Sequence, residues 1–227
     1  MPDIPYDIYQ TWYTKDLPEK MRERVNLLKS QNPEFNHHLF DDNDCREFIK
    51  QHFRLDVLEA YDSLIPGAYK ADLWRLCILF IRGGIYIDIK LVCANGFKLI
   101  ELTEKNHFVK DRPANSIFNS LIVCEKGNIF LFTAIRNIVL NVKKKFYGLC
   151  PLCPTGPMLL GKIGIRNNFK GINIDLNHYK GGGYITYKNR FIISTEYPEY
   201  NNERTNTYNS INTKRYDKLW DERAVYA

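Results

Sequence analysis

The stretch from Pro66 to Val92 constrains this chain more than any other part of it. Pro66-Gly67 marks a start, and residues 68–82 then read as an uninterrupted helix with Ala71, Trp74, Ile78 and Ile81 on one apolar stripe. Gly83-Gly84 stops that helix, and Ile85 to Val92 follows with the β-branched character of a central strand. A helix feeding through two glycines into a buried strand belongs to a layered α/β fold.

The rest of the chain continues the alternation. Ile4 to Trp12 reads as a short strand, Pro18-Glu19 opens a helix to about Ser30, and Phe35 to Phe40 looks extended. The run Asp41-Asp42-Asn43-Asp44 can cap a helix reaching about His52. Further strands are predicted at 107–110, 117–124 and 172–176, with Tyr184–Tyr187 and Phe191–Ser194 paired across Lys188-Asn189. Helices are predicted at 128–143 and around 158–163. Asn95-Gly96 predicts a tight turn that folds Phe97–Ile100 back as an antiparallel strand. From about Glu199 to Lys214 the composition shifts to Asn, Thr and Tyr, predicting a loop-rich tail before a short helix around Tyr216 to Arg223. With 227 residues, 44% of them hydrophobic, the expectation is one domain over 1–227, built on a single Rossmann-like mixed sheet flanked by helices.

The net charge of +6 permits an anionic ligand, but no basic stripe exceeds Lys143-Lys144-Lys145, which argues against nucleic acid as a partner. No run approaches a membrane-spanning length and the start MPDIPYDIYQTW is unlike a signal peptide, so a soluble, cytoplasmic protein is expected. The six cysteines read as mostly free thiols. Cys150 and Cys153 lack further ligands at zinc spacing, and Gly181-Gly182-Gly183 reads as a turn rather than a phosphate loop.

Two polar pairs break the apolar pattern. Asp72 and Arg75, three apart, share a helix face and suit either an internal ion pair or a ligand contact. Asp88 and Lys90 alternate on the following strand near its C-terminal end, the edge where open α/β sheets bind ligands. An acid and a base there can grip hydroxyls and phosphate oxygens, and a solvent-facing strand end is the plainer alternative.

The segment AYKADLWRLCILFIRGGIYIDIK, with Asp72, Arg75, Gly83-Gly84 and Tyr86-Ile87-Asp88, resembles the sugar-binding region with a D-x-D motif in family 32 of the glycosyltransferases. IPYDIYQTW, NPEFNHHLFDDNDCREFI and CPTGPMLL are similar to further family segments in the same order, covering most of residues 4–165, and the ending YDKLWDERAVY is similar less diagnostically. The resemblance implies a GT-A type enzyme, usually dependent on Mn²⁺ or Mg²⁺, that transfers a sugar with retention from a UDP- or GDP-sugar to a glycan or glycoconjugate. It implies that Trp12 stacks on the nucleobase and that Asp72 and Arg75 contact ribose or sugar hydroxyls. Arg75 also neutralises the leaving diphosphate. Asp88, as the first acid of the motif, holds hydroxyls and one metal position, while Thr155, Gly156 and Pro157 line the sugar or acceptor side.

Lys90 departs from the pattern, standing where relatives carry a second acid. A charged lysine cannot ligate a cation and repels it, so ordinary metal dependence is in question. The expectation is that the Lys90 ammonium contacts the diphosphate itself, helped by Arg75 and Arg82. A catalytically weak nucleotide-sugar or glycan binder is the competing reading. The resemblance, the lack of an anchor-like segment and the Asn, Lys, Ile and Tyr usage suit a microbial or viral enzyme.

Overall fold

The computed structural model describes residues 3–111, 115–166, 169, 176–179 and 183–227. In chain order these residues form β1 (Asp7–Thr11), α1 (Glu19–Gln31), β2 (Asn36–Phe40), α2 (Asp42–His52), α3 (Leu55–Ser63), α4 (Gly67–Arg82), β3 (Gly84–Ile87) and β4 (Val92–Cys93). There follow β5 (His107–Lys110), β6 (Ile117–Cys124), α5 (Ile129–Lys143), α6 (Pro157–Gly161), β7 (Leu176–Tyr179), β8 (Tyr184–Tyr187), β9 (Arg190–Ser194), α7 (Tyr200–Ser210) and α8 (Tyr216–Asp221). The acidic run ahead of α2 caps it as expected: the Asp41 carboxylate accepts from the Asp44 N–H, and the Asp44 carboxylate accepts from the Asp41 N–H.

Among the described residues one mixed sheet runs in the order β2-β1-β3-β6-β5-β7-β8-β9-β4. β3 lies at its heart, parallel to β1 and antiparallel to β6. Every residue of β3 is buried, because helices or loops cover both sheet faces. Ile85 and Ile87 join Ile8, Leu121 and Val123 on one face, while Tyr86 joins Tyr9, Trp74 and Ile122 under α4 on the other. The outcome is the expected α/β fold, a curled mixed sheet flanked by helices.

The glycine pair makes the helix-to-strand turn feasible. Gly83 and Gly84 sit at φ +71° and +102°, in the left-handed region, and a Cβ on Gly84 would lie 2.7 Å from the Asp7 carbonyl oxygen across β1.

Four expectations are corrected. The strand drawn from Ile85 to Val92 ends at Ile87, since the Leu91 N–H donates to the Asp88 carbonyl (2.9 Å) and closes a turn. Apolar residues at 87, 89 and 91 mimic a strand, but Ile89 packs into a separate cluster with Trp12, Leu17, Met21 and Val25. Asn95-Gly96 forms its tight turn, yet Phe97–Ile100 gives way to a 3-10 turn at Leu99–Leu102, its Leu99 N–H held by the Asn32 side chain. Helix α3 arises where no element was expected. The loop-rich tail is instead helical over α7. Of the strand expected at 172–176 only Leu176 is among the described residues, and Gly181 and Gly182 lie outside them.

Replacing Gly84 with alanine is expected to lower stability by about 2–4 kcal/mol, read as an earlier urea midpoint, through strain and the clash with β1. An unchanged midpoint would contradict that close approach.

Candidate functional site

Helix α4 points Asp72 and Arg75 toward the C-terminal end of β3, where both are buried, at 8% and 5% exposure. Arg75 spreads its guanidinium across that end. Nε donates to the Ala71 carbonyl (3.0 Å), Nη1 donates to the Asn119 carbonyl (2.6 Å) and to Asp88 Oδ1 (3.3 Å), and Nη2 lies 3.3 Å from Asp72 Oδ1. Its flat face rests on the Tyr86 ring at 4.4 Å. Asp72 in turn accepts from Asn119 Nδ2 (2.8 Å) and Thr155 Oγ1 (2.7 Å). Burial pushes the Asp72 carboxyl above its ordinary 3.8, and Arg75, Thr155 and Asn119 oppose that shift.

An irregularity in β6 supplies part of this geometry. Phe108 of β5 pairs with Ile122, but its neighbour Val109 pairs with Phe118, so residues 119–121 are skipped in that ladder. The Asn119 carbonyl is thereby available to Arg75, and the Ser120 carbonyl accepts from the Asp88 N–H (2.8 Å). Asp88 leaves the strand with Oδ1 also accepting from the Tyr86 hydroxyl (2.7 Å).

Arg75 and Asp88 form the waist of a two-chambered cleft. The first chamber, about 110 Å³, is bordered by Trp12, Tyr13, Asp42 and Tyr61. The second, about 320 Å³, is bordered by Asp72, Lys90, Asn119, Gly156, His178 and Thr195, among others. Tyr200 and Tyr208 of α7 border both. Trp12 Nε1, Thr195 Oγ1 and Arg204 Nε are buried without a hydrogen-bond partner among the described residues, and all three residues line the cleft. Such donors carry a desolvation cost that a polar ligand would relieve.

Helix α7 is held in place from a distance. α1 begins after Pro18 with no side-chain cap of its own, and the Glu203 carboxylate supplies one, accepting from the Lys20 N–H (2.8 Å) and the Met21 N–H (3.1 Å). The Tyr197 hydroxyl donates to the same carboxylate (2.7 Å). Tyr200 of the latched helix meets two cations, with Lys90 Nζ 4.8 Å and Arg204 Cζ 5.1 Å from its ring. Arg24 fixes the Lys90 turn by donating to the Lys90 carbonyl (3.2 Å). Burial pulls the Lys90 ammonium below its ordinary 10.5, with Asp88 and Glu196 acting the other way.

The structure thus brings Trp12, Asp72, Arg75, Asp88, Lys90 and Gly156 to one cleft, and Thr155 reaches it through Asp72. Arg82 is not there: it lies about 10 Å further along α4, exposed, with its guanidinium over Phe48. Arg204 and Arg215 border the second chamber instead. The tail tyrosines Tyr200 and Tyr208, open from sequence between a sugar contact and a cover for apolar surface, border both chambers, whereas sequence reasoning missed Asn119 and the pair His178–Asp111, joined at 2.9 Å with Phe118 stacked on the imidazole. No local spacing signals any of them.

The donor set is poor for a protein-held divalent cation. Asp88 Oδ1 is engaged by Tyr86 and Arg75, and Lys90, itself a cation, stands two residues further on. Among the described residues no three His, Cys, Asp or Glu side chains converge as a metal site. These residues do not fit a dedicated metal centre, although the fold itself is compatible with divalent-metal use.

Residues 18–109 match the family described as glycosyltransferase sugar-binding region containing DXD motif. The chain is 31% identical over 161 residues to inositol phosphoceramide mannosyltransferase 3 of Schizosaccharomyces pombe, covering 70% of this chain and 44% of that protein. It is 39% identical over 146 residues to a glycosyltransferase of Acanthamoeba polyphaga mimivirus, covering 56% of each. The chain spans about half the length of these curated relatives. In fold it is similar to the PaToxG glycosyltransferase, with a TM-score of 0.56, 16% identity, and coverage of 73% of this chain and 71% of that one. A second match is the ligand-free glycosyltransferase domain of the YGT toxin, with a TM-score of 0.54, 11% identity, and coverage of 79% and 80%. The chain is therefore a relative of glycosyltransferases with a GT-A-like fold.

Two variants test the site's construction. Asp72→Ala removes one of the two carboxylates beside Arg75 and leaves the Asn119 amide and the Thr155 hydroxyl without their acceptor, and it is expected to cost about 1–3 kcal/mol in denaturant unfolding. Glu203→Ala is expected to raise amide hydrogen exchange across residues 197–210 while leaving β3 and β6 protected, because it removes the tie between α7 and α1.

Proposed function

We propose that this protein is a glycosyltransferase that moves a hexose from a UDP- or GDP-sugar to a glycan or glycoconjugate, with retention of configuration. The observation that carries this reading is the buried Arg75 held between Asp72 and Asp88 at the waist of a two-chambered cleft. An aromatic chamber on one side suits a base and a polar chamber on the other suits sugars, so the diphosphate between them would lie at the guanidinium. The names of the relatives, a mannosyltransferase among them, support a hexosyl donor.

In this reading Trp12 stacks on the nucleobase and its unpartnered indole N–H meets a polar atom of the nucleotide. Asp72 and Asp88 accept from ribose or sugar hydroxyls, and Asp88 marks the one acidic position a cation could share. Thr155 and Gly156 shape the sugar side: Thr155 orients Asp72, and a Cβ on Gly156 would press to 3.2 Å from Asp72 Oδ2. The bond from the anomeric carbon to the diphosphate oxygen breaks as an acceptor hydroxyl oxygen bonds to that carbon on the same face and its proton passes to the departing diphosphate oxygen, with negative charge accumulating on the diphosphate as it leaves. Arg75 and Lys90 face that charge, each charge-assisted hydrogen bond contributing about 1.5–3 kcal/mol.

Incubation with a panel of UDP- and GDP-sugars, with and without Mn²⁺, tests the reading through nucleoside diphosphate release. Saturable binding with no release from any donor would make the protein a binder instead. Arg75→Lys is expected to lower kcat/KM about 100-fold or more by losing the planar fork.

The Lys90 ammonium is charged only below its pKa, which burial has lowered, so donor affinity is expected to fall as pH rises, starting below the range of a free lysine at 10.5. Lys90→Arg should remove that alkaline loss, because arginine keeps its charge. Lys90→Asp should lower turnover whichever divalent metal is added; restored turnover would mean that Lys90 merely occupies a lost metal position.

A further inference from the structure

Helix α5 ends at Lys143 and runs directly into Lys144-Lys145-Phe146-Tyr147-Gly148-Leu149. Leu149 is 97% exposed, Phe146 42% and Leu140 49%, so three large exposed apolar side chains fall within ten residues that also hold Lys143, Lys144 and Lys145. Lys143 has an acid nearby, Asp56 at 3.8 Å, whereas Lys144 and Lys145 pair with no acid among the described residues.

The exposure is enforced by the fold. Trp220 Nε1 donates to the Tyr147 carbonyl (2.9 Å), the Tyr226 hydroxyl donates to the Phe146 carbonyl, and the Tyr147 ring is pinned between Tyr226, edge-on at 5.4 Å, and the Arg223 guanidinium at 4.5 Å. With Tyr147 drawn inward by the C-terminal residues, its neighbours Phe146 and Leu149 stand outward on a braced backbone. A flexible loop could collapse its apolar side chains onto the protein, but this one is tied at consecutive carbonyls.

We propose that this tip docks the protein onto an anionic lipid bilayer, Leu149, Phe146 and Leu140 entering the boundary of the acyl chains while Lys144 and Lys145 meet acidic headgroups. Exposed apolar side chains beside two lysines that pair with no acid among the described residues match that boundary, where one layer is oily and the next negatively charged. Charge complementarity selects a bilayer over an apolar protein partner, which would leave the two lysines unmatched.

The tip is also continuous with the cleft. Pro151, two residues beyond Leu149, borders the second chamber with Leu152 and accepts from the Tyr69 hydroxyl through its carbonyl (2.6 Å). Two residues reach at most about 7 Å, so a bilayer at Leu149 sets the chamber wall at headgroup height. The docking itself does not depend on the transfer chemistry proposed for the cleft.

Co-sedimentation of the full chain with phosphatidylcholine vesicles, with and without phosphatidylserine, tests the docking. The protein should pellet with the phosphatidylserine vesicles, release as salt is raised, and lose at least tenfold in apparent affinity on Leu149→Glu or on Lys144→Glu with Lys145→Glu. These exposed changes leave the folded core intact, and an unchanged thermal midpoint verifies it. Wild-type protein that stays in the supernatant with both vesicle types, or variants that bind as wild type does, would overturn the proposal. So would a dimer in sedimentation velocity that Leu149→Glu converts to monomer, since the patch would then cover itself with a second copy. Absence of sugar transfer alongside intact vesicle binding would count against the transferase reading alone.

Discussion

A buried guanidinium organises this molecule. Taking a charge such as Arg75 out of water costs several kcal/mol, and ion pairs that repay the cost seldom add stability beyond what apolar packing would give. What the arrangement provides is position. Ala71, Asp72, Asp88 and Asn119 each take a contact from Arg75, so helix α4, the end of β3 and the irregular stretch of β6 are locked in one relation. Asn119 serves twice, through its carbonyl to Arg75 and its side chain to Asp72, and Thr155 extends the network to the loop before α6. The cleft's two chambers meet where this network surfaces.

The second organising contact joins the ends of the chain. Helix α7 has no buried residue of its own, and nothing in its composition would hold it in water. It persists over the cleft because one carboxylate, Glu203, satisfies two orphan N–H groups at the start of α1 and takes the Tyr197 hydroxyl as well. That exchange, together with the Tyr13–Tyr208 and Tyr197–Tyr200 ring contacts, fixes Tyr200 and Tyr208 at the waist of the cleft. Lys90 and Arg204, 4.8 Å and 5.1 Å from the Tyr200 ring, place cationic charge along the second chamber.

The helix, glycine pair and strand at 67–87 were legible because each signal is local: apolar periodicity, glycines at positive φ, and β-branched residues in sequence. The same holds for β5, β6, α5 and the β8–β9 hairpin. The end of β3 was misplaced because Ile87, Ile89 and Leu91 alternate as a strand does, while Ile89 belongs to the cluster around Trp12, far away in sequence. α7 was misread as a loop because its stabilising partner is over a hundred and eighty positions distant. Arg82 was credited with a role that helix geometry denies it, two turns beyond Arg75.

Sequence by itself determined the layered α/β class, the shared helix face of Asp72 and Arg75, and the placing of Asp88 and Lys90 two residues apart beyond the glycine pair. Those follow from periodicity and spacing within a few positions. Tertiary structure alone decided that Asp88 turns out of the sheet to meet Arg75, that Asn119, Thr195 and His178 border the same cleft, and that a polar tail becomes its roof. Each of these depends on which carbonyls, carboxylates and apolar surfaces a distant strand or helix leaves unsatisfied, and that information is created only when the chain closes on itself.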